Sequence, residues 1–331
     1  MSHFTVMVIG DDVEYQLAPF HEYECTGVDD EYVIDVDQTD EINSWLDETI
    51  YVGESKETGK PDYWFNVESA KEKLVTYTEM KRSEWFEATE EDLDAEIRDY
   101  FGAEKKDDGK YYRHTNPNAK WDWYQVGGRW SGALKLKDPT LGQLGDRSWT
   151  NRDQPTPTGY ADITTKGNID LEGMQAEIRE KKSKEFDMLE EAIGDIKPLS
   201  RNATLERIKA EGGTVEDALT VYNDSEFHKA IKKYEKENDV EIGYLFGDIY
   251  EDFYLHLPLN QARVRYVETA ALNALTPFAF VKDQQWVERG EMGWWACVSD
   301  EKDKDAWATE FLKMFKELSD DTLITMVDCH I

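Results

Sequence analysis

The pattern of apolar and polar positions predicts a strand near each end of the chain. Residues 4–9 form a continuous, partly β-branched apolar run that ends at Gly10, which indicates a buried strand. Residues 323–329 show the same pattern. Because a buried strand needs neighbours in a sheet, we expect both strands to lie in one sheet.

Longer periods predict helices and a hairpin between these ends. Apolar residues recur at helical spacing over residues 303–318 and again over 89–101, where Thr89 is placed to cap the helix and Gly102 to end it. Two strand-like runs around Asp283, within 278–289, predict a β-hairpin.

Residues 170–238 differ from the rest of the chain. Acidic and basic residues alternate there at helical spacing, and breaks at Gly194, Gly212–Gly213 and Asn223 divide the segment into three or four solvated helices. Thr214 and Asp217 have the spacing of a capping box.

The fold class that follows is α+β, with a mixed or antiparallel sheet that contains both chain-terminal strands. Residues 138–168 are rich in Pro, Gly, Thr and Asp and are typical of a linker. We therefore expect a core domain formed by residues 1–168 and 239–331, with an all-helical insertion at 169–238.

Charge is distributed unevenly along this pattern. The chain has 331 residues and a formal net charge of −33, and its first 55 residues hold 15 Asp or Glu and no Lys or Arg. Residues 111–160 instead hold 7 Lys or Arg against 4 Asp. An acidic surface of this kind repels nucleic acid and membranes and attracts basic proteins, whereas the basic region can hold an anion.

Composition limits the class of protein. The 11 Trp, 17 Tyr and 13 Phe are too many for a disordered acidic segment, so the chain should be globular. Three widely spaced cysteines fit a reducing compartment better than a disulfide framework. The first residues lack the basic region of a signal peptide, and no apolar run reaches 18 residues, so we expect a cytoplasmic protein.

The aromatic and basic segment 111–137 is the densest chemical signal. We interpret it as a β-hairpin with turns at 116–118 and at Gly127–Gly128. Aromatic planes can stack a base, cations can bind its phosphate, and a Gly-Gly turn lets backbone N–H groups approach an anion. The bland alternative is that the tryptophans pack a core and the cations neutralise the chain's own carboxylates. The candidate ligand-binding residues are Arg113, His114, Lys120, Trp121, Trp123, Arg129 and Trp130.

The acidic residues allow two interpretations. Carboxylates on helices usually form a solvated face. Ordered carboxylates can also imitate the phosphates of a DNA duplex and occupy the basic groove of a DNA-binding enzyme. The candidate partner-binding residues are Glu90, Glu91, Asp92, Asp94, Glu96 and Asp99.

Other signals are weaker. Glu288 and Glu291, near the indoles at 294–295, could act as acid and base only if they converge in space. Cys329 and His330 are adjacent in a predicted strand and should point to opposite faces, which disfavours a nucleophile–base pair. Phosphate-loop, serine-hydrolase, zinc-protease and kinase signatures are absent, and the sequence supports no catalytic residue, metal site or cofactor.

Four segments of the chain together resemble an uncharacterised family of bacteriophage and prophage proteins. They are residues 1–10, 116–132, 290–295 and 322–331, and residues 170–238 take no part in the resemblance. The resemblance implies a phage accessory protein in a bacterial cytoplasm, where countering host defence is a common task.

These observations support two hypotheses of different kinds. In the first, the protein is not an enzyme, and its acidic surface binds and inhibits a host factor, most plausibly a basic or nucleic-acid-handling defence enzyme. In the second, it binds or processes a nucleotide or another small phosphorylated ligand at residues 111–137. A structural virion component is a third possibility.

Overall fold

The computed structural model describes residues 2–23, 31–89, 92–155, 158–242, 257–293 and 297–331. The chain divides into two compact units, a larger unit formed by residues 1–17 and 123–331 and a smaller unit formed by residues 18–122. Short 3-10 helices occur at Ala18–Phe20, Pro139–Leu141 and Lys166–Asn168.

The strands in these ranges are β1 (His3–Ile9), β2 (Ile34–Asp37), β3 (Thr49–Glu54), β4 (Pro61–Trp64), β5 (Thr78–Lys81), β6 (Ala103–Lys105), β7 (Tyr111–Thr115), β8 (Trp123–Gly128), β9 (Leu134–Lys135), β10 (Gly142–Gln143), β11 (Asp146–Arg147), β12 (Tyr160–Ala161), β13 (Ile163–Thr165), β14 (Ala279–Lys282), β15 (Gln285–Glu288), β16 (Glu291–Met292), β17 (Val298–Ser299) and β18 (Leu323–His330).

The helices are α1 (Val13–Leu17), α2 (Thr39–Asp47), α3 (Val67–Lys73), α4 (Arg82–Thr89), α5 (Leu93–Phe101), α6 (Leu171–Ile193), α7 (Arg201–Ala210), α8 (Val215–Asp224), α9 (Glu226–Asn238), α10 (Leu259–Leu272) and α11 (Lys304–Glu317).

The central sheet of the larger unit is built around the two strands nearest the chain ends. β1 is antiparallel to β18 on one side and parallel to β14 on the other, and β14 continues into the hairpin with β15. The other edge of β18 is shared, because β13 pairs with residues 323–325 and β8 with residues 327–330. The fold is therefore α+β, as the sequence predicts, with a mixed sheet that contains both chain-terminal strands.

Helix α11 covers one face of this sheet with the apolar stripe that the sequence predicts. Trp307, Phe311 and Phe315 are buried against Met7 and Met326 of the sheet. The Trp307 indole also donates a hydrogen bond of 2.9 Å to the Pro277 carbonyl, which satisfies its polar atom. The apolar pattern of both chain ends therefore forms this core.

The segment 170–238 is helical, as predicted. α6 ends before Gly194 and α7 before Gly212–Gly213, and Thr214 forms both hydrogen bonds of a capping box with Asp217. A second core joins α6, α8, α9 and α10, with Phe186, Phe227 and Tyr266 among its buried residues. Whether 169–238 is an insertion into a domain made of residues 1–168 and 239–331 stays a prediction.

The smaller unit contains two three-stranded sheets, β2–β7–β6 and β4–β3–β5, and the helices α2 to α5. Its core includes Ile42, Trp45 and Ile97. Arg82 is almost fully buried beside them. Its guanidinium lies 4.2 Å from the Trp45 ring and donates to the Trp45 carbonyl at 2.6 Å, and it also pairs with Glu48 at 3.0 Å. This cation therefore has a structural role.

The predicted helix at 89–101 begins later than expected. The N-cap of α5 is Asp92, whose carboxylate accepts a hydrogen bond from the Ala95 N–H, and Thr89 is instead the last residue of α4. Gly102 ends α5 in the left-handed conformation, as predicted. The capping-box spacing was read one turn too early, because Asp92 caps the helix alone.

The predicted hairpin at 111–137 is wrong. β7 pairs with β2 and β6 in the smaller unit, whereas β8 pairs with β18 and β11 in the larger unit. Short sequence separation favoured pairing between β7 and β8, but both strands have longer-range partners with better matching edges.

The predicted linker at 138–168 is also wrong. It contains β10 to β13, and β13 belongs to the central sheet. These strands have only two or three residues, which is too short for an apolar period to be visible in the sequence. Along the described part of the chain, none of the helices has the length and apolar character needed to cross a membrane.

Candidate anion-binding pocket

The Gly127–Gly128 turn at the end of β8 approaches the chain's own carboxylates. Both glycines have positive φ, 79° and 55°. A Cβ on Gly127 would lie 2.5 Å from an Asp162 carboxylate oxygen, and one on Gly128 would lie 2.4 Å from the Asp328 Cβ. Only glycine fits both the backbone conformation and these contacts. The anions that this turn accommodates are therefore Asp162 and Asp328.

Asp162 is fully buried and organises the loop after the turn. Its Oδ1 accepts hydrogen bonds from the backbone N–H groups of Gly132 (2.6 Å) and Ala133 (3.3 Å). Its Oδ2 accepts from the Ser131 hydroxyl (3.0 Å) and the Gly145 N–H (2.9 Å). Four donors around one buried carboxylate fix this loop against the segment that begins at residue 145.

Asp162 also marks the point where β8 and β13 meet along β18. Its carbonyl accepts the Met326 N–H at 2.8 Å, between the stretches of β18 that pair with the two strands. Asp328, fully buried two residues further along β18, accepts from the Arg129 N–H at 2.9 Å and contacts His3 Nδ1 at 2.8 Å. The loop is therefore tied directly to the central sheet.

A pocket of about 520 Å³ lies against this loop, and we call it the Arg129–Arg147 pocket. Its wall contains two arginines and no Asp or Glu. The lining residues are Arg129, Ser131, Gly132, Arg147, Thr150, Asn151, Gln154, Pro155 and Tyr160.

The two arginines of the pocket differ in their contacts. Within the described residues, the exposed guanidinium of Arg129 makes no hydrogen bond or ion pair; only its backbone is bonded. Arg147 donates from its two terminal nitrogens to the carbonyls of Gln154 and Pro155, while its buried Nε has no partner. Arg147 shapes the loop, and Arg129 is available to a ligand.

Exposed indoles lie on the same loops. Trp130 follows Arg129 and is 38 % exposed, and Trp149 lies between pocket residues and is 76 % exposed. Asn151 holds the two loops together, because its amide donates to the carbonyls of Gly128 (3.0 Å) and Arg129 (3.2 Å).

Tyr160 closes one side of the pocket as a neutral phenol. Burial and its hydrogen bond to the Glu177 carboxylate raise the pKa of Tyr160 to about 12. The neighbouring Lys135 ammonium and this phenol lower the pKa of Glu177. At neutral pH, Glu177 is therefore an anion whose charge Lys135 compensates.

The predicted cations of the smaller unit lie beside acids of their own unit. In the β2–β7 ladder, His114 faces Asp35 and its Nδ1 lies 3.0 Å from that carboxylate. Arg113 is 4.0 Å from Glu22. The pKa of Asp35 is lowered, mainly by a hydrogen bond from Lys106 and then by His114.

The remaining predicted ligand-binding residues have local contacts. Trp121 is buried and stacks on His21, with ring centroids 4.3 Å apart, and the Lys120 N–H donates to the Phe20 carbonyl. Trp123 is exposed and makes edge contacts with His3 and His330. Of the seven predicted residues, the four at 113–121 belong to the smaller unit, and Trp123, Arg129 and Trp130 belong to the larger unit.

The predicted acidic residues of α5 have mixed roles. Asp92 caps the helix, and Asp94 accepts a hydrogen bond of 3.0 Å from the Tyr111 hydroxyl. Glu96 and the exposed Asp99 make no side-chain hydrogen bond or ion pair within the described residues. Glu90 and Glu91 lie outside those residues. Tyr100, which follows Asp99, is 67 % exposed.

The weaker candidates are only partly described. Glu288 accepts a hydrogen bond of 2.7 Å from the Trp286 indole, and Glu291 is exposed. The indoles at 294–295 lie outside the described residues. Cys329 is buried, while His330 on the same strand is partly exposed.

Sequence reasoning missed most of the pocket. Arg147, Asn151 and Tyr160 were assigned to a linker, although Arg147 belongs to the basic region 111–160. The buried Asp162 had no visible signal, since an isolated Asp in a Gly- and Thr-rich segment resembles a turn residue. In the described ranges, no group of three or more His, Cys, Asp or Glu is arranged to hold a metal ion.

Comparison with known proteins adds no relative, since no protein-family model, no curated protein and no solved structure matches this chain.

Proposed function

We propose that this protein binds a small phosphate-bearing anion in the Arg129–Arg147 pocket. One observation carries the proposal: in a chain with 71 Asp and Glu, the wall of this pocket has two guanidinium groups and no carboxylate. A cationic wall is improbable by chance in such an acidic chain, and guanidinium groups match the geometry of phosphate oxygens.

The pocket is suited to binding because its loop is preorganised. Asp162 and Asp328 fix the backbone around Arg129, so little ordering is required when a ligand enters. The negative charge of Asp162 behind the wall opposes an anion, but four hydrogen bonds saturate it and two arginines face it. Trp130 and Trp149 offer aromatic surface for the organic part of a nucleotide.

Arg152 provides a matched control for a direct test. It is exposed on the turn that follows Trp149, carries the same charge as Arg129 and does not line the pocket. Inorganic phosphate and a panel of nucleotides would be titrated by calorimetry and thermal shift into the wild type, Arg129→Ala and Arg152→Ala. A ligand at 100 times its dissociation constant stabilises the native state by about 2.7 kcal/mol.

We expect Arg129→Ala to lose most of the affinity and Arg152→Ala to keep it. Absence of binding in the wild type, or equal losses in both variants, would contradict the pocket as the site.

A second proposal concerns the smaller unit as a docking surface for a basic protein. The unit has 29 acidic and 12 basic residues, a net charge of −17. On α5, Glu96 and Asp99 lack partners in the described part of the chain, and the neighbouring Tyr100 is exposed. Exposed tyrosines beside charges are common anchors of protein interfaces.

The resemblance to a phage family supports a bacterial setting for this second proposal, with a host nucleic-acid-handling enzyme as the target and the acidic unit imitating DNA. Tagged protein would be purified from expressing bacteria at low and high salt. We expect a basic, DNA-binding partner that dissociates as salt is raised, because the attraction is electrostatic.

Two charge-reversal variants make the experiment specific. Asp99→Lys should abolish recovery of the partner, and Glu57→Lys, at an exposed site in the β3–β4 loop, should reduce it only slightly. Recovery that is independent of salt and of Asp99 would overturn the docking proposal.

A further inference from the structure

We infer that the Arg129–Arg147 pocket selects an oxyanion that carries its own hydrogen-bond donor, such as hydrogen phosphate, over sulfate, which has none. Asn151 is the residue that makes this distinction. The inference rests on the proposed function, because it specifies which anion the pocket accepts.

The orientation of the Asn151 amide is fixed by its surroundings. Its Nδ2 donates to two backbone carbonyls, those of Gly128 at 3.0 Å and Arg129 at 3.2 Å. Rotating the amide by half a turn would place Oδ1 against these two acceptors and lose both bonds. Oδ1 must therefore lie on the side away from them.

That oxygen is a buried acceptor without a donor. Asn151 Oδ1 has no hydrogen-bond partner in the described chain, and the same is true of Arg147 Nε, a buried donor. Both residues line the same pocket. Buried polar atoms are rarely left unpaired, so an unsatisfied acceptor and an unsatisfied donor in one pocket wall indicate a ligand that supplies both counterparts.

Hydrogen phosphate meets this requirement and sulfate does not. At neutral pH, hydrogen phosphate retains one P–OH, which can donate to Asn151 Oδ1 while its other oxygens accept from Arg129 and Arg147. Sulfate presents acceptors only, so it leaves Oδ1 unpaired or places an oxygen against it. The same donor is available from a hydroxyl group of a phosphorylated sugar.

Contact with Oδ1 requires a small movement of the wall, because this atom has almost no accessible surface. Arg129 can provide the movement. Its guanidinium is exposed and makes no hydrogen bond in the described residues, so it can rotate without breaking one.

The test compares three anions of similar size by calorimetry at neutral pH: hydrogen phosphate, sulfate and monofluorophosphate. Monofluorophosphate keeps the tetrahedral phosphorus and the charge of hydrogen phosphate but has no donor at this pH. We expect hydrogen phosphate to bind about tenfold or more tightly than either of the others, the size of effect that one hydrogen bond to a buried group produces.

Asn151→Ala gives the second measurement. It should weaken hydrogen phosphate to the level of sulfate and leave the sulfate affinity of the wild type unchanged. Equal losses for both anions would show that Asn151 only holds the loops together and would overturn the inference.

The outcomes also separate this inference from the proposed function. If all three anions bind equally and depend on Arg129, the pocket binds anions but Asn151 does not select among them. If none binds, the proposed function itself fails.

Discussion

The cations at 113–114 and at 129 come from one basic, aromatic stretch of sequence, yet they have opposite surroundings. Arg113 and His114 lie on β7, whose register with β2 places Asp35 directly opposite His114. Arg129 follows a buried glycine turn, and its backbone N–H, not its side chain, contacts the buried Asp328. The same residue types therefore neutralise acids in one region and remain available in the other.

The difference shows that the placement of carboxylates decides which cations can serve a ligand. In the smaller unit, acids occupy neighbouring strands and stand beside the basic side chains. In the larger unit, Asp162 and Asp328 are buried beneath the loop and bind backbone N–H groups. A carboxylate saturated by the main chain leaves the arginine above it without a partner.

The largest expected effect comes from removing the carboxylate beneath the pocket. Asp162→Ala leaves four donors without their acceptor, and we expect it to lower the free energy of unfolding by about 3–5 kcal/mol, measured by urea denaturation. Asp153→Ala, on the exposed turn, should change it by less than about 0.5 kcal/mol. Similar small effects in both variants would show that the buried carboxylate does not organise the loop.

Arg82 tests the claim that a cation of the smaller unit is structural. Arg82→Ala removes a buried guanidinium from the Trp45 carbonyl, the Trp45 ring and Glu48, so we expect a loss of roughly 2–4 kcal/mol. Arg98 is exposed and 3.7 Å from Glu104, and Arg98→Ala should cost less than about 0.5 kcal/mol. Thermal and urea unfolding would distinguish the two; equal losses would contradict the structural role of Arg82.

Acid titration tests the neutralised ladder. A hydrogen bond from the Lys110 ammonium, with further bonds from Thr39, lowers the pKa of Asp37 to about 2 from an ordinary value of 3.8. A lowered folded-state pKa stabilises the fold above about pH 4, and this contribution is lost as pH falls towards 2. The carboxyl carbon shift of Asp37, followed by NMR, should titrate near pH 2.

The Asp37 prediction has its own control. Replacing the partner by Lys110→Met should move the titration of Asp37 upwards towards its ordinary range. A midpoint that the replacement leaves unchanged would show that the ion pair is not formed in solution.

The smallest effect on stability is expected for Arg129 itself. Since its guanidinium makes no contact with an acid in the described chain, Arg129→Ala should change the free energy of unfolding by less than about 0.5 kcal/mol without ligand. Its loss should appear only when phosphate is added. A clear destabilisation in the absence of phosphate would show that Arg129 is structural and would remove the contrast with Arg82.

The apolar period predicted the parts of the fold that are locally determined. β1, β18, α11 and the hairpin of β14 and β15 follow from patterns of six residues or more. The turn at Asp283 and Gln284 has positive φ at both residues, which fits a tight two-residue hairpin.

Long-range pairing was not predictable in the same way. Nothing near residues 123–128 indicates that β8 pairs with residues 327–330, about 200 positions away. The two-residue strands at 142–161 carry no measurable period. The pocket depends on both features, so the sequence indicated Arg129 and Trp130 but not the wall around them.

The position of β18 constrains how this chain acquires its structure during synthesis. β1 leaves the ribosome more than 300 residues before the strand that completes its hydrogen bonding, and β8 and β13 wait almost as long. Such distant pairing folds slowly and leaves apolar edges uncovered in the growing polypeptide. Chaperone dependence, and loss of soluble product when translation stalls before residue 323, are the cellular consequences of this topology.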